Sequence, residues 1–167
     1  MKRTLILVRH AKSSWNESGL PDMKRPLNER GERDAPFMAK RMAERGIQID
    51  KIVSSPAVRA HTTAKAYASA LGFSEGDIEV VDAVYEASVA KLMDVINGFN
   101  NDWKVVLIFG HNPGFSYLLQ YLCGQMLHMP TNGVATLEVE ADSWEYFGTG
   151  CATLADYDFP KKHLAPL

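Results

Sequence analysis

The feature that most constrains this chain is a set of short, continuous apolar runs separated by segments with helical spacing. Leu5–Val8 is the first such run, and Ile49–Ser54 and Val105–Phe109 follow it along the chain. A strand that is apolar at every position is covered on both faces, as in a sheet with helices on either side. Three weaker segments also favour strands: Ile78–Val81, Val134–Val139 and Cys151–Leu154. This alternation of strands and helices predicts an α/β layered fold.

Four segments between these runs favour helices. The first carries apolar residues at helical spacing over Ala35–Ala43. We expect it to begin near Glu32–Arg33, so that Pro36 lies in the first turn, where a missing N–H costs little. The second is expected to begin at Ser55-Pro56, with serine as the N-cap, and to end at Gly72. The third and fourth are expected over Val89–Ile96 and from Asn112-Pro113 to about Gly124.

Length and composition set further limits. The chain has 167 residues, of which 46% are hydrophobic and 23% charged, so we expect residues 1–167 to form a single domain. No apolar run approaches the roughly 18 residues of a membrane-spanning helix, and we expect a cytoplasmic protein that binds no membrane. A net charge of −2 argues against nucleic acid as the partner. The histidines lack the spacing of a zinc site, so neither a metal nor another cofactor is predicted.

The carboxyl ends of three predicted strands carry the residues that point to a function. Arg9-His10 follows the first strand, Ser54-Ser55-Pro56 with Arg59 follows the second, and Gly110-His111-Asn112 follows the third. Ligands of layered α/β proteins bind at this edge of the sheet. A helix N-terminus and the planar fork of an arginine both favour an anion. Because no carboxylate in these segments balances the arginines, the simplest ligand is a phosphoryl group.

A histidine beside such arginines can be more than a hydrogen-bond donor. Nearby positive charge lowers the pKa of an imidazole and keeps it neutral, so that it can attack phosphorus. Water would then hydrolyse the phosphohistidine, with two guanidinium groups rather than a metal supplying the countercharge. Each segment alone also has a simpler interpretation, as a solvated strand end, a turn or a helix cap. Their coincidence at one edge of the sheet favours the site.

In combination, these segments resemble the motifs of the histidine phosphatases of the phosphoglycerate-mutase-like fold. The family's motifs of strand–Arg-His-Gly, Pro-Leu-x-x-x-Gly, Ser-Ser-x-x-x-Arg-x-x-x-Thr-Ala and Gly-His are similar to Leu7–Asn16, Pro26–Gly31, Ser54–Ala64 and Gly110-His111. The stretch Arg9–Trp15 and the short chain look most like the SixA-type phosphohistidine phosphatases. The resemblance implies a three-layer α/β/α fold with a mostly parallel central sheet.

The resemblance also implies catalytic and substrate-binding residues. His10 matches the nucleophile that becomes phosphorylated, and His111 matches the second histidine of the pocket. Arg9 and Arg59 match the arginines that bind the phosphoryl group. Together they imply a phosphatase that needs no metal.

Three further residues match functional positions of the family, and two residues depart from the family pattern, all of them in loops around the site. Ser13 and Asn16 match positions at the pocket mouth, and Glu86 falls where many members carry the carboxylic general acid. Loop hydrogen bonds are the alternative for the first two, and a surface carboxylate is the alternative for Glu86. The sequence departs from the pattern at Ala11, where most members have glycine, and at Lys12, where an acidic residue is usual.

The short stretch between Val81 and Leu107 bears on the substrate, because it leaves little chain for a lid over the site. An open pocket favours a phosphoryl group presented by a protein, such as phosphohistidine on a phosphotransfer domain. A small-molecule phosphatase that acts on a sugar or nucleotide phosphate is the alternative, and a non-catalytic phosphate-binding module is another. The three tryptophans, Trp15, Trp103 and Trp144, are expected to be packing residues.

Overall fold

The computed structural model describes residues 1–167, and its centre is one six-stranded sheet. The strands are β1 (Lys2–Arg9), β2 (Lys51–Ser54), β3 (Ile78–Val80), β4 (Val105–Gly110), β5 (Val134–Glu140) and β6 (Thr153–Asp158). Their order across the sheet is β3-β2-β4-β1-β5-β6. The first four of these pair in parallel, whereas β5 and β6 pair antiparallel to their neighbours. The prediction of a mostly parallel central sheet is confirmed.

Helices cover both faces of the sheet. They are α1 (Glu29–Glu44), α2 (Val58–Leu71), α3 (Val89–Asn97) and α4 (Gly114–Cys123). Successive side chains of a strand point to opposite faces, so β1 contributes to two cores. Leu5 and Leu7 pack in the cluster beneath α3 and α4, while Ile6 and Val8 pack in the cluster beneath α1 and α2. Burial on both faces explains the unbroken apolar run, and the predicted three layers are confirmed.

The start of α1 differs from the prediction. The helix begins at Glu29 rather than near Glu32, because the Asn28 side chain accepts the Gly31 N–H at 2.9 Å and caps it. Pro36 therefore lies inside the helix instead of in its first turn. It occupies the exposed face, where water can bond the carbonyl group that proline leaves without a donor.

The start of α2 also differs. The sequence predicts Ser55 as the N-cap and Pro56 as the first helical residue, but the helix begins at Val58. The Ser55 hydroxyl instead accepts the Ala57 N–H at 3.2 Å, within a turn that precedes the helix. The helix ends at Gly72 as predicted, with a left-handed φ of 82°.

Two smaller differences occur late in the chain. Helix α4 begins at Gly114, with Pro113 as the capping residue instead of the first helical one. Strand β6 lies two to four residues later than predicted, over Thr153–Asp158. Its side chains are mostly exposed or half-buried, so few apolar residues mark it in the sequence. None of the helices combines the length and the apolar character that crossing a lipid bilayer requires.

Candidate active site

Strand register brings the two histidines together. Parallel pairing of β1 with β4 places Arg9 opposite Gly110, so the next residue on each strand, His10 and His111, also lie side by side. The centroids of their rings are 5.3 Å apart. On the other side of β4, β2 pairs Ser54 with Phe109, so Ser55 follows at the same edge of the sheet, and its Oγ lies 2.7 Å from His111 Nε2.

One ring nitrogen of His10 is hydrogen-bonded to the backbone. Its Nδ1 lies 2.7 Å from the carbonyl oxygen of Ala11. Because a carbonyl oxygen only accepts, this contact assigns the proton to Nδ1 and leaves a lone pair on Nε2. The side chain is 7% exposed, and burial lowers the pKa of His10 to about 3, with further lowering by the charges of His111, Arg59 and Arg9. The ring is therefore neutral near pH 7.

His111 shares this environment. Burial, followed by the positive charge of Arg59, lowers the pKa of His111 to about 4. Its Nε2 contacts Ser55, while its Nδ1 is buried without a hydrogen-bond partner. Buried polar nitrogens are nearly always paired, so this unpaired nitrogen is an unused hydrogen-bonding group of the site.

Arg59, on the first turn of α2, is anchored along one part of its guanidinium group. Its Nη1 donates to the backbone carbonyl of Asp22 at 2.8 Å, and its Nη2 donates to Asp22 Oδ2 at 2.9 Å. The side chain is only 6% exposed, and its Nε is buried without a partner. An arginine fixed in this way presents its remaining N–H groups without further loss of rotamer freedom.

The Asp22 carboxylate joins Arg59 to two further side chains. Arg25 Nε lies 3.0 Å from Oδ1, and the Tyr85 hydroxyl donates to Oδ2 at 2.5 Å. Burial alone would raise the pKa of Asp22, but the hydrogen bonds from Tyr85, Arg59 and Arg25 hold it well below its usual range. The same bond to Asp22 raises the pKa of Tyr85 to about 12. The sequence did not predict Asp22 or Tyr85 as site residues, because neither lies in a periodic segment.

Arg9, at the end of β1, forms fewer hydrogen bonds within the protein than Arg59 does. Its Nη1 donates to the carbonyl oxygen of Met129 at 2.8 Å, and its Nε is buried without a partner. Burial lowers the pKa of Arg9, and its charge contributes to the low pKa of both His10 and His111. Two arginines therefore face the histidine pair, as the sequence predicts.

The loop after His10 is fixed by its neighbours. The Ala11 N–H donates to Thr63 Oγ1 at 3.0 Å, and this hydroxyl donates to the carbonyl oxygen of Arg59 one turn earlier in α2. Ala11 is fully buried with φ outside the left-handed region, so alanine fits where the family pattern has glycine. Gly31 closes the loop from the other side, since a Cβ there would lie 2.2 Å from the carbonyl oxygen of Lys12.

Glu86 lies in the loop before α3, with a left-handed φ of 50° that glutamate adopts rarely. It is exposed and lines a cavity of about 570 Å³ together with Asp22, Arg59 and His111. The structure thus places the predicted general-acid position on the same cavity as the second histidine.

Ser13 and Asn16 are placed differently from the other predicted site residues. Ser13 is buried and its hydroxyl accepts a hydrogen bond from Arg25 Nη1 at 2.8 Å. Asn16 is exposed, and only its backbone N–H is bonded, to Ser14 Oγ at 3.1 Å. Neither residue lines the cavity of Glu86 and His111. Ser13 is linked to Asp22 through Arg25, and a role for Ser13 and Asn16 at the pocket mouth stays a prediction.

Trp15 was predicted to be a packing residue, and this is wrong. Its side chain is 72% exposed, and its ring lies under the guanidinium of Arg25, whose Cζ is 3.5 Å from the ring centroid. Trp144, in contrast, is fully buried, and Trp103 packs against the same cluster. Ala11 and Ser13 are buried, but the chain is exposed over residues 15–19, which explains the exposure of Trp15.

Comparison with known proteins agrees with this geometry. A family model described as the histidine phosphatase superfamily (branch 1) matches residues 5–96. A chloroplastic protein of Arabidopsis thaliana is 31% identical over 153 residues, which cover 87% of this chain and 70% of that protein. The crystal structure of SixA from Agrobacterium tumefaciens has a TM-score of 0.81 at 29% identity, covering 95% of this chain and 98% of the other. The protein histidine phosphatase SixA complexed with tungstate has a TM-score of 0.78 at 22% identity, covering 92% and 95%, and supports the fold. From its motifs and its structure, this chain belongs to the histidine phosphatase superfamily, and its fold is similar to that of SixA.

Proposed function

We propose that the protein is a metal-independent phosphatase that forms a phosphohistidine at His10 and takes the phosphoryl group from phosphohistidine in a protein. The observation that carries this proposal is the 2.7 Å contact between His10 Nδ1 and the carbonyl oxygen of Ala11. It leaves Nε2 with a free lone pair. Burial lowers the pKa of His10 to about 3, so the ring is neutral near pH 7. A neutral imidazole among guanidinium groups has the properties of a nucleophile toward phosphorus.

The reaction runs in two balanced steps. In the first, the lone pair of His10 Nε2 forms a bond to phosphorus. The bond from phosphorus to the substrate nitrogen breaks, and that nitrogen keeps the electron pair and takes a proton from solvent. In the second step water attacks phosphorus and gives one proton to solvent, the bond to Nε2 breaks with its electron pair returning to Nε2, and inorganic phosphate leaves. Arg9 and Arg59 supply positive charge to the phosphoryl oxygens in both steps.

His111 acts as a hydrogen-bond donor to the same oxygens. A donor needs its proton on Nδ1, the nitrogen that has no partner in the protein. The Ser55 hydroxyl, 2.7 Å from Nε2, selects this tautomer when it donates its proton to that nitrogen. Ser55 is therefore a positioning residue that acts through His111.

Three features support a phosphoryl group carried on a protein. The chain between β3 and β4 holds only a 3-10 turn, a short loop and α3, and supplies no lid. Two exposed aromatic side chains lie near the site, Trp15 beside Arg25 and Tyr117 on the cavity wall, and exposed aromatics are typical of protein interfaces. Finally, an imidazole leaving group needs less help from a general acid than an alkoxide does. This suits a site in which the ionised Asp22 has no proton to give.

A small-molecule phosphate monoesterase is the second candidate, and one observation favours it. The carboxyl group of Glu86 lines the same cavity as His111, where it can protonate an alkoxide leaving group. A panel that compares a phosphohistidine protein with alkyl phosphate esters separates the two substrate classes.

Trapping the phosphoenzyme tests the reaction itself. Enzyme mixed with ³²P-labelled phosphohistidine protein and quenched rapidly is expected to carry an acid-labile, alkali-stable phosphoryl group. His10→Ala should carry none and turn nothing over, with its fold intact by circular dichroism, while His61→Ala serves as the matched control on α2. Chelators should leave the rate unchanged. Phosphate trapped on serine, cysteine or aspartate would contradict the proposal.

A further inference from the structure

A second cavity, of about 310 Å³, lies between the start of α1, the loop 128–131 and the C-terminal segment 159–166. Its volume is within the range of small-ligand sites, about 300–1,000 Å³. Its ionic lining is strongly positive, with five cationic side chains against one carboxylate: Arg9, Lys12, Arg30, Arg33 and Lys161 against Asp34. This contrasts with the net charge of −2 of the whole chain.

Most of this positive charge is not neutralised within the protein. Asp34 contacts Arg33 at 2.8 Å and Arg30 at 3.8 Å, and it is the only carboxylate of the lining. Arg9, Lys12 and Lys161 form no ion pair. The Nε atoms of Arg9 and Arg30 are also buried without a hydrogen-bond partner. Cations gathered around a cavity without countercharge repel one another unless an anion enters.

The cavity adjoins the phosphoryl site through Arg9. This arginine lines the cavity, and its charge also reaches both histidines. Lys12 stands only two residues after His10, and its carbonyl oxygen is held by the Asn28 N–H at 2.9 Å. Because Arg9 lines this cavity and directly precedes His10 in the chain, the cavity lies on the Arg9 side of the phosphoryl site.

We propose that this cavity is a second anion subsite, which binds a carboxylate or phosphate group of the same molecule that delivers its phosphoryl group to His10. The inference rests on the proposed function and adds a substrate class: molecules with two separated anionic groups. The shared chemistry is an oxyanion, and its source is either a small bisphosphate or an acidic side chain beside a phosphohistidine. Lys12 and Lys161 would provide point charges, while Arg9 and Arg30 would provide guanidinium forks.

Steady-state kinetics with matched substrates test the subsite and distinguish the two sources. One arm compares α,ω-alkanediol bisphosphates of three to six carbons with the corresponding monophosphates. The other arm compares two phosphohistidine peptides of equal length, flanked by glutamates or by glutamines. In the arm that contains the true source of the second anion, the substrate with this anion is expected to have a KM about tenfold lower than its matched partner, with little change in kcat. Lys161→Glu should abolish this advantage and leave KM for 4-nitrophenyl phosphate unchanged, whereas the neighbouring Lys162→Glu, outside the cavity, should keep it.

Equal KM values within both substrate pairs would overturn the subsite. So would an equal rise in KM for 4-nitrophenyl phosphate and the doubly charged substrates in Lys161→Glu, because that would indicate only a general loss of positive charge.

An NMR titration with inorganic sulfate tests the subsite without turnover. The amide signals of Thr131 and Lys161 should respond to sulfate in wild type and in His10→Ala, but not in Lys161→Glu. A response in these amides, with no phosphoenzyme in the trapping experiment, would remove the proposed function and keep the subsite. A trapped phosphoenzyme together with no sulfate response in these amides would remove the subsite and keep the proposed function.

Discussion

The two arginines beside the histidine pair have equivalent roles in the sequence pattern but different surroundings in the structure. Arg59 donates twice to Asp22, and that carboxylate also binds Arg25 and Tyr85. Arg9 donates to a single backbone carbonyl group and faces a cavity rich in cations. The Arg59 guanidinium is therefore held in position by a carboxylate, whereas the positive charge of Arg9 is not balanced by any carboxylate that bonds to it. Equivalent motif positions do not imply equivalent electrostatics.

After loss of the nucleophile itself, the largest effect is expected from removal of the carboxylate of Glu86, which lines the same cavity as Arg59. Glu86→Gln should slow hydrolysis of alkyl phosphate esters by about 10²–10⁴-fold, because an alkoxide leaving group needs a proton. Phosphohistidine hydrolysis should change only weakly. The measurement is kcat/KM for both substrates, with Asp82→Asn, an exposed carboxylate outside the cavity, as the control. An equal, large loss on both substrates would remove the chemical reason for favouring phosphohistidine.

The arginines themselves come next. Arg59→Ala should lower kcat/KM by at least ~10²-fold, since one well-placed donor to a developing oxyanion contributes about 2.7–4 kcal/mol. Arg59→Lys should recover little, because the fork is lost. Arg9→Ala should cost a similar factor in rate but less in melting temperature, because of these two arginines only Arg59 bonds to Asp22. Equal melting temperatures for the two alanine variants would contradict the asymmetry.

A smaller loss, about tenfold in kcat, is expected for Ser55→Ala. Without the hydroxyl, His111 is no longer held in the tautomer with its proton on Nδ1. The ¹⁵N chemical shifts of the His111 ring should report this change directly. Ser54→Ala, which removes a buried hydroxyl that contacts only the Ser55 carbonyl oxygen, is the control. Unchanged ¹⁵N shifts in Ser55→Ala would reduce Ser55 to a turn residue.

The smallest effect concerns stability and pH. The pKa of His10 is lowered to about 3 and that of His111 to about 4, whereas both titrate near 6.5 in the unfolded chain. The unfolded state therefore binds more protons below pH 6.5, and the free energy of unfolding should fall from there toward about pH 4. Each histidine contributes on the order of 1 kcal/mol per pH unit. Chemical denaturation of His10→Ala should show about half of this slope, and an unchanged slope would contradict the buried, neutral state.

The sequence predicted the positions of the four central residues because strand ends are readable from apolar runs. Arg9, His10, Arg59 and His111 were expected at one edge of the sheet, and the structure brings them together there. What the sequence cannot supply is register: a shift of β1 by one residue against β4 would separate the histidines. Their roles in turnover remain predictions.

The features that the sequence did not predict lie in irregular segments or depend on distant partners. Asp22 sits in a short 3-10 turn, and its importance comes from Arg59 and Tyr85, which are 37 and 63 residues away. The start of α1 depends on the Asn28 cap, which the position of Pro36 does not reveal. Such contacts have no periodic signature, so pattern alone cannot locate them.

The close approach of Gly31 to the carbonyl oxygen of Lys12 has a consequence for reading natural variation and mutational surveys of this protein. Any side chain at position 31 displaces the loop after His10, because the close contact is with the backbone of Lys12. In a saturation library scored for activity, positions 31 and 10 should be equally intolerant. In a library scored for cellular abundance, only position 31 should be intolerant of substitution. Activity scores alone would therefore count a packing constraint as a catalytic residue.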